Sequence, residues 1–154
     1  MTQPPYVAPD LTLVGESHIA AYEATGGREG YLWNGVPTLL LTTKGRRSGK
    51  SRKIAIIYTQ VGDDIALIAS KGGADQHPGW YFNILADPRV EIQVRDKKFT
   101  ATARVAESPE RERLWTLAAK AWPNYDVYVT RTERRIPVVV LESIEPLANT
   151  PSVS

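Results

Sequence analysis

The chain has 154 residues, a formal net charge of +2 and 42% hydrophobic residues, values that suit one globular domain with a sizeable core. It has no cysteine, which excludes disulfides, thiolate metal sites and a cysteine nucleophile, and which agrees with a reducing cytoplasm. The start of the chain lacks a signal-peptide pattern, and the longest apolar runs are too short to span a bilayer. We therefore expect a cytoplasmic protein without an integral membrane segment.

The first half of the chain predicts an arm, two short helices and three strands. Residues 1–12 are proline-rich and form the predicted arm. A helix over 16–27 closes at a glycine pair, and His18 on this helix is expected to face solvent. A second helix over 80–88 ends at a proline. Because they are rich in β-branched and other apolar residues, the segments predicted as strands are 36–44, 52–60 and 65–70.

The second half predicts a hairpin, a longer helix and a last strand. Alternating residues predict paired strands over 89–96 and 99–107. The helix over 108–122 has Ser108 as its candidate N-cap and Pro109 at its first position. A turn or short helix follows over 123–135, then a strand over 136–143 and a tail over 147–154. About six strands, joined mostly by hairpins, favour an antiparallel barrel with helices, an α+β domain over 13–146.

The stretch TTKGRRSGKSRK, residues 42–53, concentrates positive charge. It holds six of the 19 basic residues, and no acidic residue lies between Glu29 and Asp63. The stretch resembles a P-loop, but the glycines at 45 and 49 are one residue too close and a strand follows instead of a helix. Such a loop can still bind phosphate through backbone amides and arginines. A solvated hairpin tip is the alternative, and nucleic-acid binding is disfavoured because no aromatic residues interleave with the charges.

Two later segments add aromatic and glycine-rich surface. The Gly72–Gly73 pair can let a flat ring lie against the backbone, and Trp80 follows shortly after. Trp122, Tyr125 and Tyr128 are spaced by three and would face the same way on a helical turn. In each case the alternative is structural: a strand-to-helix turn with Trp80 in the core, and an aromatic core stripe.

The two histidines do not indicate a metal site. Neither His18 nor His77 belongs to a cluster of carboxylates with ligand spacing. His77 precedes a proline in the glycine-rich loop, and we expect an ordinary hydrogen-bonded loop histidine there, with a proton donor as the alternative. We therefore predict that no metal is bound.

Three ordered segments together carry a resemblance to a known family. LLLTTKGRRSGKSRKIAIIY, LIASKGGADQHPGWYFNILADPRVEIQV and WPNYDVYVTRTERRIPVVVLE resemble the deazaflavin-dependent nitroreductases, the actinobacterial flavin/deazaflavin oxidoreductases of the A type. The resemblance covers about residues 36–143. It implies a split β-barrel related to the flavin reductases and pyridoxamine-phosphate oxidases. It also implies coenzyme F-420 as cofactor, an 8-hydroxy-5-deazaflavin with a phosphate and a polyglutamate tail; FMN is the less favoured alternative.

The resemblance also implies roles for individual residues. The basic loop would meet the phosphate and tail, and the S-K-G-G segment would line the ring. The predicted cofactor-binding residues are Thr43, Lys44, Arg46, Arg47, Ser48, Gly49, Lys50, Arg52, Ala69, Ser70, Lys71, Gly72, Gly73 and Trp80. The predicted acceptor pocket consists of Ile57, Trp122, Tyr125 and Tyr128. Tyr125, together with Ser70 and Tyr128, is predicted to be catalytic, because a hydroxyl donor stabilises negative charge on the acceptor.

The implied function is hydride transfer from reduced F-420 to a small organic acceptor, such as a quinone, a nitroaromatic compound or an activated alkene. The alternatives are a reductase of the same fold that uses FMN or FAD, and a non-catalytic protein that stores F-420. Ile57 and Trp122 stand where one branch of the family has tyrosines, so nitroimidazole reduction does not follow from the resemblance. The expected partner is the small-molecule acceptor, and we expect no nucleic-acid partner. The sequence does not decide between a monomer and a homodimer. It also leaves open whether the protein makes peripheral contact with the inner face of the plasma membrane.

Overall fold

A computed structural model describes residues 6–147 of the chain. In chain order the elements are helix α1 (Glu16–Thr25), strands β1 (Leu32–Trp33), β2 (Val36–Lys44), β3 (Ser51–Ile57), β4 (Thr59–Val61) and β5 (Asp64–Ile68), a 3-10 turn (Lys71–Gly73), helix α2 (Gly79–Ala86), strands β6 (Arg89–Val94) and β7 (Lys97–Val105), helices α3 (Glu110–Ala121) and α4 (Asn124–Tyr128), a second 3-10 turn (Val129–Arg131) and strand β8 (Val138–Pro146). Within these residues, no helix is both long and apolar enough to cross a membrane.

The strands of the described chain form one antiparallel sheet that curls on itself. Its order is β1-β2-β6-β7-β8-β5-β4, and β3 pairs with β2. Although only Tyr58 separates β3 from β4, β3 pairs with β2 whereas β4 pairs with β5 at the other end of the sheet. Residues 51–61 therefore join both ends of the sheet, which curls into a half-barrel. The predicted antiparallel barrel with helices is confirmed.

Residues 6–147 contain eight strands instead of about six, for two local reasons. The predicted strand 52–60 is divided at Tyr58, whose N–H donates to the Pro37 carbonyl at 3.1 Å. The short strand β1 lies in a segment without a predicted element. It pairs with the start of β2 across Asn34 and Gly35, which have φ of 50° and 82°. An Asn-Gly pair with two positive φ values is the preferred two-residue hairpin turn, so the sequence did carry this signal.

Two apolar layers lie on opposite faces of the central strands. Along β5, Ile65 and Leu67 pack inside the barrel, whereas Ala66 and Ile68 pack toward α3 and α4. Strand β8 divides its residues in the same way, because successive side chains of a strand point to opposite faces. These strands are therefore buried on both sides, and α4 is held against the sheet by the outer layer.

The start of α3 differs from the prediction. The helix begins at Glu110, and Pro109 occupies the N-cap position instead of the first helical position. Ser108, the predicted N-cap, lies one residue further out, and its hydroxyl accepts a hydrogen bond from Arg135 Nη2 at 3.1 Å. Ser108 therefore ties the helix start to the segment before β8. Of the predicted carboxyl-terminal tail, 147–154, only Leu147 belongs to the described residues, and of the predicted arm, 1–12, only residues 6–12 do.

Candidate functional site

A cleft of about 900 Å³ runs beside β3 and collects residues from all three predicted segments. Arg52 and Ile57, near the two ends of β3, both line it. Arg52 and Ile57 are five residues apart, which in a strand corresponds to about 17 Å. The loop between β2 and β3 lies at the Arg52 end. At the Ile57 end, α4 packs in the same apolar cluster as Ile57. The volume lies in the range of small-molecule sites.

The basic loop over 45–50 is a compact turn held by its own backbone. The Gly45 N–H donates to the Lys50 carbonyl and the Gly49 N–H to the Gly45 carbonyl, both at 2.8 Å. A Cβ on Gly45 would lie 3.0 Å from Ser48 Oγ and 3.1 Å from the Lys50 carbonyl oxygen, so a larger residue would push the turn open. Strand β3 follows the loop directly, as predicted from the failed P-loop match.

One arginine of the loop is held by helix α2. The amide oxygen of Asn83 accepts hydrogen bonds from the Arg46 backbone N–H at 3.2 Å and from Arg46 Nη1 at 3.0 Å. The other end of the amide donates to Thr43 Oγ1 at 3.0 Å. Asn83 is buried and absent from the predicted site. Because Arg46 already donates hydrogen bonds to Asn83, its guanidinium group is less available to an anion than those of the neighbouring arginines.

Strand pairing decides which other cations reach the cleft. Arg52 lies opposite Thr43 in the β2–β3 ladder, and both line the cleft with Arg47 and Ser48. The predicted residues Lys44, Gly49 and Lys50 do not line it. Lys44 follows Thr43 on β2 and therefore points to the opposite face. Neither Arg47 nor Arg52 takes part in a salt bridge between residues 6 and 147, whereas Lys53, which also lines the cleft, pairs with Glu23.

The glycine-rich turn forms a second part of the cleft wall. Ser70, Lys71 and Gly72 line the cleft, whereas Ala69 and Gly73, also predicted to bind cofactor, are buried behind it. Gly73 has a φ of 84°, and a Cβ there would lie 2.9 Å from the Tyr128 carbonyl oxygen. Only glycine therefore lets this turn pack so closely on α4. Trp80 both lines the cleft and packs in the inner core.

The aromatic end of the cleft contains the whole predicted acceptor pocket. Ile57, Trp122, Tyr125 and Tyr128 all line it. Trp122 Nε1 donates to the Tyr128 hydroxyl at 3.3 Å, and the Tyr125 and Tyr128 rings meet edge to face with centroids 6.0 Å apart. Burial, and to a smaller extent the neighbouring Tyr128, raises the pKa of Tyr125. Its hydroxyl therefore stays protonated and can donate a hydrogen bond at neutral pH.

Residues near the amino terminus also line this end, although no sequence motif indicated them. His18, Trp33, Val14 and Gly15 border the cleft. The expectation that His18 faces solvent is wrong, because its side chain packs between α1 and the turn after it and only 5% of it is exposed. Its Nε2 donates to the Gly30 carbonyl at 2.8 Å, and its ring stacks on Trp33. The sequence signal for this burial was the i, i+4 spacing of His18 and Tyr22, which places both side chains on one face of the helix. They are the two buried residues of α1.

The described part of the arm is tied down beside the aromatic end. The side chain of Asn124 bonds to both backbone groups of Val7, and that of Asn34 does the same for Asp10. Trp33 Nε1 donates to the Leu13 carbonyl at 2.7 Å. These contacts hold residues 7–13 against α4 and the β1–β2 turn. The next residue, Val14, lines the cleft.

His77 is an ordinary loop histidine in this structure. It does not line the cleft, and its Nδ1 accepts a hydrogen bond from Arg134 Nη1 at 2.9 Å. Partial burial, and then the positive charge of Arg134, lowers the pKa of His77. Residues 6–147 contain no group of three histidine, aspartate or glutamate side chains that could hold a metal ion.

Comparisons with known proteins show which proteins this chain resembles. Residues 15–143 match the family model described as F420H(2)-dependent quinone reductase. The F420H(2)-dependent quinone reductase Rv1261c of Mycobacterium tuberculosis is 42% identical over 128 residues, 80% of this chain and 86% of that protein. A solved F420-H2 dependent reductase, FDR-A, is 45% identical with a TM-score of 0.64, over 69% of this chain and 94% of that one.

A second solved relative, a domain-swapped dimer, is 45% identical with a TM-score of 0.65 and covers 69% of this chain and 80% of its own. The family model spans most of the chain, and the curated relative exceeds the identity at which family membership is secure. The family is defined by its dependence on reduced F-420, which makes coenzyme F-420 the cofactor. The chain belongs to the F420H(2)-dependent quinone reductase family and is an oxidoreductase.

Proposed function

We propose that this oxidoreductase reduces a small, planar, quinone-like acceptor inside the cleft beside β3. The phosphate and tail of F-420 would lie at the basic loop, its ring against residues 70–72, and the acceptor at the aromatic end. The observation that carries the proposal is that residues of all three segments line one cleft, with Arg52 and Ile57 near opposite ends of β3. Nitroaromatic compounds and activated alkenes are acceptors of similar shape and belong in the same test.

The cations of the cleft suit an anionic cofactor tail. Arg47 and Arg52 line the cleft without a salt-bridge partner among residues 6–147, so their guanidinium groups are available to phosphate oxygens. The hydroxyls of Ser48 and Thr43 add neutral hydrogen-bonding groups beside them. We assign the phosphate to Arg47 and Arg52. The tail would extend past the loop toward Lys50, where charge is exposed to solvent.

The part of the cleft lined by residues 70–72 suits a flat ring. The turn at Ser70, Lys71 and Gly72 presents backbone at the cleft wall, since Gly72 has no side chain and Gly73 packs behind it. Trp80 supplies an apolar surface that is fixed by the inner core. Ser70 is buried yet lines the cleft, so its hydroxyl is the proposed hydrogen-bond donor to the ring or to the acceptor.

The aromatic end would hold the acceptor and supply a proton. When bound, reduced F-420 supplies a hydride to the acceptor. Negative charge then builds on the acceptor oxygen, and a positioned hydroxyl donor stabilises that charge. Tyr125 is the proposed donor, because its raised pKa keeps the hydroxyl protonated. The Tyr128 hydroxyl accepts from Trp122 Nε1, so its own proton remains free for a second hydrogen bond.

The aromatic packing around this end would limit the access of water. The Trp33 and Trp122 rings lie 5.5 Å apart between centroids, and both line the cleft, as does Val14. A dry environment strengthens the hydrogen bond from Tyr125 to the acceptor, since little solvent competes for it. The apolar walls also favour a neutral quinone-like molecule over a charged acceptor.

The assembly and location of the protein are separate proposals. The domain-swapped dimer among the solved relatives supports a homodimer over a monomer for this chain, and light scattering on the purified protein measures which state occurs. The cytoplasmic location, the peripheral membrane contact and the division into an arm, a domain over 13–146 and a tail stay predictions of the sequence.

Two measurements test the proposed function. The apo-protein is titrated with F-420 and, in parallel, with FMN, and binding is followed by cofactor fluorescence. Oxidation of reduced F-420 is then measured with menadione and with a panel of nitroaromatic and activated-alkene acceptors. We expect F-420 to bind more tightly than FMN, and menadione to be turned over. Tight F-420 binding without turnover of any acceptor would support a storage protein instead, and tight FMN binding without F-420 binding would support a flavin enzyme.

A further inference from the structure

We propose that Arg134 is a positioning residue for the cofactor ring, a role that rests on the proposed function because it assumes that the ring lies against residues 70–72. The side chain of Arg134 approaches this turn from behind and does not line the cleft. It would act through the backbone of the turn and would not touch the cofactor itself.

All three guanidinium nitrogens of Arg134 bond to the segment 69–77. Nε donates to the Ala74 carbonyl at 2.7 Å and Nη2 donates to the Ser70 carbonyl at 2.7 Å. Nη1 donates to the Ala69 carbonyl at 3.3 Å and to His77 Nδ1 at 2.9 Å. One side chain therefore holds both ends of the turn that contains Lys71, Gly72 and Gly73.

The turn has a backbone conformation that needs such support. Lys71, Gly72 and Gly73 have φ values of 47°, 65° and 84°, three left-handed residues in succession. The left-handed region is unfavourable for a lysine, because its Cβ approaches the neighbouring carbonyl. Ala69 is fully buried, so water cannot replace Arg134 as the partner of its carbonyl. Without Arg134 the turn would lose the hydrogen bonds that select this conformation.

The same contacts set the turn relative to the acceptor end. Arg134 follows the second 3-10 turn, whose Arg131 donates from Nη1 to the Gly72 carbonyl at 3.3 Å. Gly73 packs on the Tyr128 carbonyl, at the end of α4. The distance between the ring site and the hydroxyls of Tyr125 and Tyr128 therefore depends on where Arg134 holds the turn. A planar guanidinium with its donors in a fixed fork can serve all four acceptors, whereas a lysine ammonium cannot.

The test compares whole F-420 with its 8-hydroxy-5-deazaflavin headgroup, which lacks the phosphate and the tail. Both are titrated against the full-length protein and the variants Arg134→Met, Arg134→Lys, Arg52→Ala and Arg135→Met. We expect Arg134→Met to weaken both ligands by the same factor, about 10- to 100-fold, the loss expected when hydrogen bonds to a charged donor are removed. The affinities of Arg134→Lys should lie between those of the wild-type protein and Arg134→Met, because lysine keeps the positive charge but can make only some of the hydrogen bonds.

The other two variants separate this role from neighbouring ones. Arg52→Ala should weaken F-420 and leave the headgroup unchanged, because Arg52 lies at the proposed phosphate end. Arg135→Met is the matched control: Arg135 is adjacent and exposed, and it bonds to Ser108 and Glu112 instead of the turn. It should leave both affinities unchanged.

A measurement without cofactor covers the case in which a variant folds poorly. The amide of Gly73 donates to the Ser70 carbonyl at 2.9 Å and the amide of Ala74 to the Lys71 carbonyl at 3.1 Å, so their hydrogen exchange reports on the turn. In Arg134→Lys apo-protein these two amides should exchange faster, while the amides of β8 keep the wild-type rate. Thermal unfolding of each variant separates a local change from global loss of stability.

Three results would overturn the role of Arg134: a folded Arg134→Met protein with wild-type headgroup affinity, a loss of affinity confined to whole F-420, or unchanged exchange at Gly73 and Ala74 in Arg134→Lys. Failure of the proposed function gives a different result, because the wild-type protein itself would then not bind F-420. In that case the exchange experiment still decides whether Arg134 holds the turn.

Discussion

The side-chain amide of Asn124 makes two hydrogen bonds with the backbone of Val7, although the two residues are 117 positions apart in the chain. The Val7 N–H donates to Oδ1 at 3.0 Å, and Nδ2 donates to the Val7 carbonyl at 2.7 Å. Asn124 is the first residue of α4, which also carries Tyr125 and Tyr128. The Arg131 guanidinium lies 4.3 Å from the centroid of the Tyr6 ring and adds a second contact. The arm is thus attached to the helix that forms the proposed acceptor site.

Replacing Asn124 by alanine should release this part of the arm. The change removes both hydrogen bonds of a side chain that is only 3% exposed, so the free energy of unfolding should fall by about 1–3 kcal/mol. Urea unfolding and limited proteolysis of the arm measure the effect. Asn34→Ala is the matched control: Asn34 makes the same pair of bonds to Asp10 at an exposed position, so its loss should be smaller. Equal proteolysis of wild-type protein and Asn124→Ala would contradict the attachment.

Arg52→Ala should weaken F-420 binding by about 1–3 kcal/mol, the usual loss for a charged hydrogen-bond partner. The physical reason is that Arg52 lines the cleft and has no salt-bridge partner among residues 6–147. Lys50→Ala is the comparison and should weaken binding less, because Lys50 has the same charge in the same loop but does not line the cleft and would meet only the exposed tail. Fluorescence titration at two salt concentrations should show a smaller salt dependence for Arg52→Ala than for the wild-type protein. Similar losses in both variants would mean that the loop acts only through its total charge.

Tyr125→Phe should lower kcat with menadione by about a hundredfold while leaving F-420 affinity nearly unchanged, because a positioned donor acts mainly in the transition state. Steady-state kinetics and cofactor titration on the same preparation measure the two quantities. Because burial raises the pKa of Tyr125 above its ordinary value of about 10, kcat should show no tyrosine ionisation between about pH 6 and 9. Parallel losses of kcat and cofactor affinity would indicate that Tyr125 contributes packing instead.

His77 should make the stability of the protein depend on pH. Its Nδ1 accepts from Arg134, and its ring lies against Tyr81 and Phe82 of α2. Burial and the charge of Arg134 lower its pKa, so in the window below about pH 6.5 the unfolded chain binds more protons than the native state. The free energy of unfolding should therefore rise with pH through this window and level off above about pH 7.

Urea unfolding across this pH range measures the effect, with His77→Gln as the control. A glutamine oxygen can still accept from Arg134 but does not titrate, so the slope near pH 6 should disappear. The carboxyl groups with lowered pKa, Glu110 beside Arg104 and Asp87 beside Arg89, lose their contribution only at more acidic pH, below about pH 5. A slope that persists in His77→Gln would assign the pH dependence to another group.

Much of the fold could be predicted from local patterns. The strands over 36–44 and 89–96 were predicted within a residue or two of their observed ends, because β-branched and alternating residues favour extended backbone directly. The divided strand at Tyr58 and the short strand β1 were not predicted. The division at Tyr58 depends on long-range strand pairing, which no pattern inside the segment reveals. Strand β1 was missed although the Asn34–Gly35 pair carries a local hairpin signal.

The amino-acid sequence was sufficient to identify the family, the antiparallel barrel and the three segments that meet in the cleft, because motif spacing and alternation depend only on consecutive residues. The tertiary structure alone decided which members of those segments reach the cleft. Arg52 and Arg47 line it, Lys44 and Lys50 do not, and Arg46 bonds to Asn83, which lies 37 positions away. It also buried His18 and placed Arg134 behind the turn at Lys71–Gly73. This is because strand register and long-range hydrogen bonds determine which partners a side chain contacts, whereas its neighbours in sequence determine only the local backbone conformation.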